Sequence, residues 1–84
     1  MTNEEFKRTL EERTLVFTLR LLNFLAKLPK TNIFWLIIDQ LGRAGSSVGA
    51  NYREANRAES KADFVHKIGI VEKESSETVY WLTV

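Results

Sequence analysis

The sequence predicts an all-α fold, an antiparallel helical bundle, on three observations. Apolar residues recur at intervals of three, four and seven along three successive segments, which is the spacing of helix faces. A capping signal opens each segment: Thr2-x-x-Glu5, then Thr31, then Ser60-x-x-Asp63. No two alternating apolar and polar runs exist that could pair as strands.

The first helix is expected over residues 3–28. Phe6, Leu10, Phe17, Leu21, Phe24 and Leu28 line one face. Leu15, Leu19, Leu22 and Ala26 form a second apolar stripe beside it. Pro29, the only proline, disfavours helical geometry at Leu28 and ends the helix there. The second helix is expected over residues 32–57. Its opening run, Ile33-Phe34-Trp35-Leu36-Ile37-Ile38, has the β propensity of a buried strand. Helix is preferred, because no partner strand exists and the apolar face continues through Leu41, Ala44, Val48, Tyr52 and Ala55. Phe34, Trp35 and Ile38 cannot all face one side of a helix, so part of this run is expected at an interface. The third helix is expected over residues 61–84, with Phe64, Ile68, Val71, Ser75, Val79 and Leu82 on its apolar face. Val84 closes the chain without a stop signal, so this helix is expected to be cut, not finished. The short connections place consecutive helices antiparallel.

The 84 residues suit one domain, spanning 1–84, with a modest core. Twelve basic and 11 acidic residues leave a net charge of +1, so bulk charge argues for neither nucleic acid nor membrane. The absence of cysteine excludes a disulfide framework, a thiolate nucleophile and a Cys-ligated metal. The longest apolar run, Ile33–Ile38, is far short of the roughly 20 residues of a membrane span. The acidic Met1–Glu5 start is no signal peptide. A cytoplasmic protein without a membrane partner is expected. His66 is the only histidine and has just Asp63 nearby, so no metal site is expected. Ser46, Ser47, Ser75 and Ser76 have no His–acid framework, and Glu72, Glu74 and Glu77 have no identifiable pocket. The sequence therefore predicts neither cofactor nor catalytic residue, and no enzyme.

Residues 40–57 are unusual. Gly42, Gly45 and Gly49 sit inside a helix, each at about 1 kcal/mol relative to alanine. Close approach of a neighbouring helix is the expected compensation. Gly45-x-x-x-Gly49 matches the membrane dimer pattern in form, but its surroundings are polar. Gln40, Arg43, Ser47, Asn51 and Glu54 make a polar stripe on another side. The preferred reading is a hydrogen-bonded seam between helices or subunits, with Arg43 and Asn51 meeting Glu72, Glu74 or Glu77; a solvated face is the alternative. Packing or assembly roles are assigned to Phe34, Trp35, Ile38, Gln40, Arg43, Gly45, Ser47, Gly49, Asn51, Glu54 and Trp81. Around the second turn, Arg53, Arg57, Lys61 and Lys67 gather beside Tyr52. Arginine with an aromatic ring suits an RNA backbone and unpaired bases. Glu54, Glu59 and Asp63 interleave and weaken that potential, so an ordinary solvated helix end stays open as the other reading.

Several blocks, in order along the chain, carry a resemblance: Glu12-Arg13-Thr14, Leu28-Pro29-Lys30-Thr31, and the stretch from Gln40-Leu41-x-Arg43-Ala44-Gly45-x-Ser47-Val48-Gly49-Ala50-Asn51 to Tyr52-Arg53-Glu54-Ala55. Arg57-Ala58-x-Ser60-Lys61-x-x-Phe64, Lys67-Ile68, Lys73-Glu74 and Glu77-Thr78-x-Tyr80-Trp81-Leu82 follow. On these blocks the sequence resembles the four-helix-bundle proteins encoded within intervening sequences of bacterial 23S ribosomal RNA genes. The resemblance implies an up-down four-helix bundle, of which this chain supplies three helices. It implies a homo-oligomer, since relatives form homopentameric rings; the copy number of a three-helix form is left open. A related branch, the accessory proteins of diversity-generating retroelements, engages a reverse transcriptase and nucleic acid. The expected function is therefore a non-enzymatic, self-assembling bundle associated with ribosomal RNA or another nucleic acid, RNA or DNA. Arg43, Tyr52, Arg53, Arg57, Lys61 and Lys67 are the contact candidates. The alternative is a protein-interaction scaffold or accessory subunit that touches no nucleic acid.

Overall fold

The computed structural model describes residues 1–84. Three helices make up the chain: α1 (Asn3–Ala26), α2 (Asn32–Asn56) and α3 (Lys61–Thr83). Each begins on the expected cap. Thr2 Oγ1 accepts from the Glu5 N–H at 3.1 Å, Thr31 Oγ1 from Phe34 at 3.3 Å, and Ser60 Oγ from Asp63 at 3.0 Å. Each cap satisfies one of the donors a helix start leaves free. The strand-like run Ile33–Ile38 is helical, because no partner is present and Thr31 nucleates the turn.

The ends differ slightly from expectation. α1 stops at Ala26, not 28, since the last turn tightens ahead of Pro29. Lys27 N–H donates to the Phe24 carbonyl at 3.1 Å and Leu28 N–H to Leu25 at 3.2 Å, both three-residue bonds. α2 ends in the same way, with Arg57 N–H on Glu54 at 3.0 Å.

α2 is the centre of the molecule. It packs against both α1 and α3, whereas the backbones of α1 and α3 stay apart. The buried apolar residues are few: Leu21 and Leu25 of α1, and Leu41, Ala44 and Ala55 of α2. Leu28, Ile38 and Trp81 pack around the leucines. The only residue that α3 buries is Thr78, whose hydroxyl is satisfied by its own helix at the Glu74 carbonyl, 2.7 Å away. The three-helix arrangement agrees with the up-down bundle. It leaves a lengthwise groove between α1 and α3, with α2 as its floor. The radius of gyration, 14.3 Å, exceeds the roughly 12 Å of a compact chain this long.

The glycine-dense side of α2 faces α1. A Cβ at Gly45 would overlap Leu21 Cδ2. At Gly49 it would stand 3.2 Å from Thr14 Cβ and 3.5 Å from the Thr14 backbone. The neighbour inferred from sequence is thus a helix of the same chain. Gly45 and Gly49, named as packing or assembly candidates, are both buried and serve the fold, not a contact between subunits.

Three stability measurements follow. Leu41 is 1% exposed, so Leu41→Ala should lower the unfolding free energy by about 2–5 kcal/mol in chemical denaturation. Gly45→Ala should also destabilise, because buried Leu21 must move. Gly69, with nothing within 4 Å of an added Cβ, should do the opposite: Gly69→Ala gains up to about 1 kcal/mol.

Candidate functional site

The basic residues named from sequence divide into three groups. Arg57, at the end of α2, and Lys61, at the start of α3, are exposed and make no ion pair. Arg53 and Lys67 flank this turn but already have acidic partners. Arg53 Nη1 lies 3.6 Å from Glu11 Oε1 of α1. Lys67 Nζ lies 3.9 Å from Glu54 of α2 and 3.8 Å from Asp63 of its own helix. Arg43 does not join the turn at all. Fourteen helical residues separate it from Arg57, about 21 Å along the axis, and its Nη2 donates to Gln40 Oε1 at 2.7 Å. Tyr52 is half-buried, on the side of α2 that carries Val48 and Ala55, which leaves little of the ring for stacking on a base.

Within the chain, the polar stripe meets α3 only where Glu54 pairs with Lys67. Arg43 bonds to Gln40, Ser47 Oγ donates to the Arg43 carbonyl at 2.7 Å, and Asn51 Nδ2 donates to the Ser47 carbonyl at 2.9 Å. Neither Arg43 nor Asn51 reaches Glu72, Glu74 or Glu77. Partners three or four residues away on the same helix are nearer and need no reach across to α3. Glu74 keeps one buried carboxylate oxygen without a hydrogen-bond partner. Glu54 is exposed and meets only Lys67.

Of the large packing candidates, Phe34 and Ile38 are half-buried and Trp81 sits against the core leucines. Trp81 meets the neighbouring Tyr80 ring edge to face at 5.1 Å. Trp35 is 52% exposed, and the Lys30 ammonium lies 5.5 Å from its ring.

A polar junction went unnoticed in the sequence. Glu11 Oε2 accepts from Asn56 Nδ2 at 2.9 Å while Oε1 faces Arg53, so one half-buried carboxylate ties α1 to the last turn of α2. The available signal was a carboxylate on the same helix stripe as Thr14, Leu21 and Leu25. Ser46 and Ser47 bond to carbonyls of their own helix. No group of three or more His, Cys, Asp or Glu side chains is placed to hold a metal, and no helix is long and apolar enough to cross a membrane.

The model of the 23S rRNA-intervening sequence protein family matches residues 7–84. The chain belongs to this family. Among solved structures, a protein of unknown function from the S23 ribosomal protein family of Bacteroides thetaiotaomicron VPI-5482 is similar. It shares 38% identity over 92% of this chain and 69% of that one, with a TM-score of 0.83. No protein of curated function matches. Membership in the 23S rRNA-intervening sequence protein family accounts for the helical architecture, and the match includes all three helices. The turn from Arg53 to Lys67 and the glycine-dense side of α2 both lie within it.

The Glu11 junction yields a graded expectation. Asn56→Ala, which removes a 2.9 Å bond to a carboxylate, should cost on the order of 1 kcal/mol. Arg53→Ala should cost less, because its 3.6 Å pair is long and the Arg53 side chain is 42% exposed. A double-mutant cycle with Glu11→Ala, read by denaturant unfolding, checks the order.

Proposed function

We propose that this chain is a non-enzymatic, self-assembling bundle protein that associates with ribosomal RNA or another nucleic acid. The observation that carries the assembly half is the balance of apolar residues. Seventeen large apolar or aromatic residues are exposed, against five buried hydrophobic ones. Patches of exposed apolar surface on that scale mark association faces, not the surface of a solitary soluble domain.

The nucleic-acid half rests on the family's link to 23S rRNA and on the turn between α2 and α3. Arg57 and Lys61 are free there, and Arg53 and Lys67 stand on either side. The ion pairs of the flanking residues are long and partly exposed, worth at most about 1 kcal/mol each. A phosphate can therefore displace the carboxylates at small cost. An assembly would present this turn once per copy, which multiplies a weak contact into avidity. Arg43 and Tyr52 take no part in this reading, for the geometric reasons given above.

The measurement is RNA binding by the assembled protein as a function of salt. Affinity should fall steeply as salt rises. Replacing Arg57 and Lys61 by alanine should flatten the logarithmic salt slope for single-stranded RNA by about 1.4, the share of two phosphate contacts. Failure to bind RNA at low salt would remove the nucleic-acid half and leave the protein-interaction scaffold. Light scattering that finds a monomer at micromolar concentration would remove the assembly half.

A further inference from the structure

Charge is unevenly distributed along this chain. Twelve basic residues nearly balance 11 acidic ones overall, yet residues 13–38 hold Arg13, Arg20, Lys27 and Lys30 and no acidic residue. Lys30 has a structural task. Its Nζ donates to the Ala26 carbonyl at 3.4 Å, at the end of α1, and lies 5.5 Å from the Trp35 ring. Arg13, Arg20 and Lys27 have none of that kind. None of the three forms an ion pair. No acid stands three or four residues away on the helix to support them.

These three cations are spaced by sevens. Seven residues make almost two whole turns, so successive cations drift by only about 20° and stand about 10.5 Å apart along the axis. All three are exposed, on the side of α1 turned away from Thr14, Leu21 and Leu25, which pack towards α2. Asn23, also exposed, sits between Arg20 and Lys27 on this stripe. Arg13, Val16 and Arg20 border a shallow hollow, which Glu12, the nearest acid, also borders. The outcome is a row of cations about 21 Å long. Solvated helix faces ordinarily mix both signs. α1 does so itself nearer its start, where Lys7 pairs with Glu4.

A regular row of positive charge suits a polymer with regular negative charge. Its pitch equals about three steps of a stacked strand at about 3.4 Å each, so the row spans about six steps. An anionic bilayer is the other extended polyanion. It takes a helix whose apolar stripe faces the acyl chains, with cations on the opposite face or at the edges. α1 has the reverse order. The cations run down the middle of its outer face, with Leu15, Leu19 and Leu22 to one side and Phe17 and Phe24 to the other. The geometry therefore favours a nucleic-acid strand over a lipid surface.

We propose that the outer face of α1 is a second nucleic-acid site. Arg13, Arg20 and Lys27 hold phosphates along one strand of RNA or DNA, and the Asn23 amide is placed to meet a sugar or a base edge between them. This deepens the nucleic-acid reading above and rests on it. The turn that carries Arg57 and Lys61 stands at the Glu11 end of α1, because Asn56 bonds to Glu11. The row runs from Arg13 away from that end. The two sites thus lengthen the footprint along the molecule and do not compete for the same phosphates.

The test is binding of a single-stranded RNA oligonucleotide across a salt series. Arg13→Gln, Arg20→Gln and Lys27→Gln together should flatten the logarithmic salt slope by about 2, the share of three phosphate contacts. Helix content by circular dichroism should not change, since all three side chains are exposed and unpaired. Arg20→Gln alone should flatten the slope by about 0.7, and it decides the matter if the triple variant does not fold. Arg8→Gln, Arg43→Gln and Lys73→Gln together remove the same charge from other faces and should leave the slope near that of the unmodified chain. RNA binding with an unchanged slope in the row variants would overturn this site and leave the turn of Arg57 and Lys61 intact. Equal flattening in the control variant would also overturn it, as an effect of bulk charge. No RNA binding by the unmodified chain at low salt would remove both sites. Capture by phosphatidylserine vesicles and not by RNA, lost in the triple variant, would assign the row to a membrane surface and overturn the proposal.

Discussion

The close approach of α1 to the glycine side of α2 is the constraint on which the rest of the molecule depends. A Cβ at Gly45 would overlap Leu21 and one at Gly49 would press on Thr14, and the leucine core of Leu21, Leu25 and Leu41 forms beside that contact. On other sides α2 buries Ala44 and Ala55, again small residues. A central helix built this way lets two neighbours come near, but it contributes little side-chain volume to a core. The large side chains are consequently displaced to the flanks. That is why this chain combines a thin interior with so much exposed leucine, phenylalanine and tryptophan.

Much of the fold was legible in the sequence. Thr2, Thr31 and Ser60 announced the helix starts, because capping is a local interaction between a side chain and the next turn. The boundaries at 28 and 57 ran long by one or two residues, since three-residue bonds tighten a last turn without leaving any mark in residue type. The glycines of α2 predicted a close neighbour correctly. They could not say which helix would supply it, because small residues permit approach from any partner.

The candidate site was less legible, and for a different reason. Charge clusters are visible in a sequence, but their partners are set by tertiary proximity. Arg53 finds Glu11 across 42 positions of sequence, and nothing in either local pattern announces that pair. Arg43 and Asn51 were expected to reach α3, yet they settle on Gln40 and the Ser47 carbonyl, which lie on their own helix. Tyr52 sits beside Arg53 in sequence, but about 100° around the helix, and that rotation carries it towards the interior. Of the four basic residues gathered at the second turn, only Arg57 and Lys61 have no acidic partner.

The separation of α1 from α3 has a consequence for how the chain opens and closes. α2 and α3 form a hairpin of successive helices with the more extensive of the two interfaces, whereas the backbone of α1 lies close to that of α2 alone. Local hairpins close quickly, and elements with one supporting neighbour open at lower free energy than the whole. α1 is therefore expected to open first, leaving the glycine side while α2 and α3 remain paired. Anything that grips α1 from outside slows its amide exchange and shifts that local equilibrium towards closure, so that association and folding become one linked process.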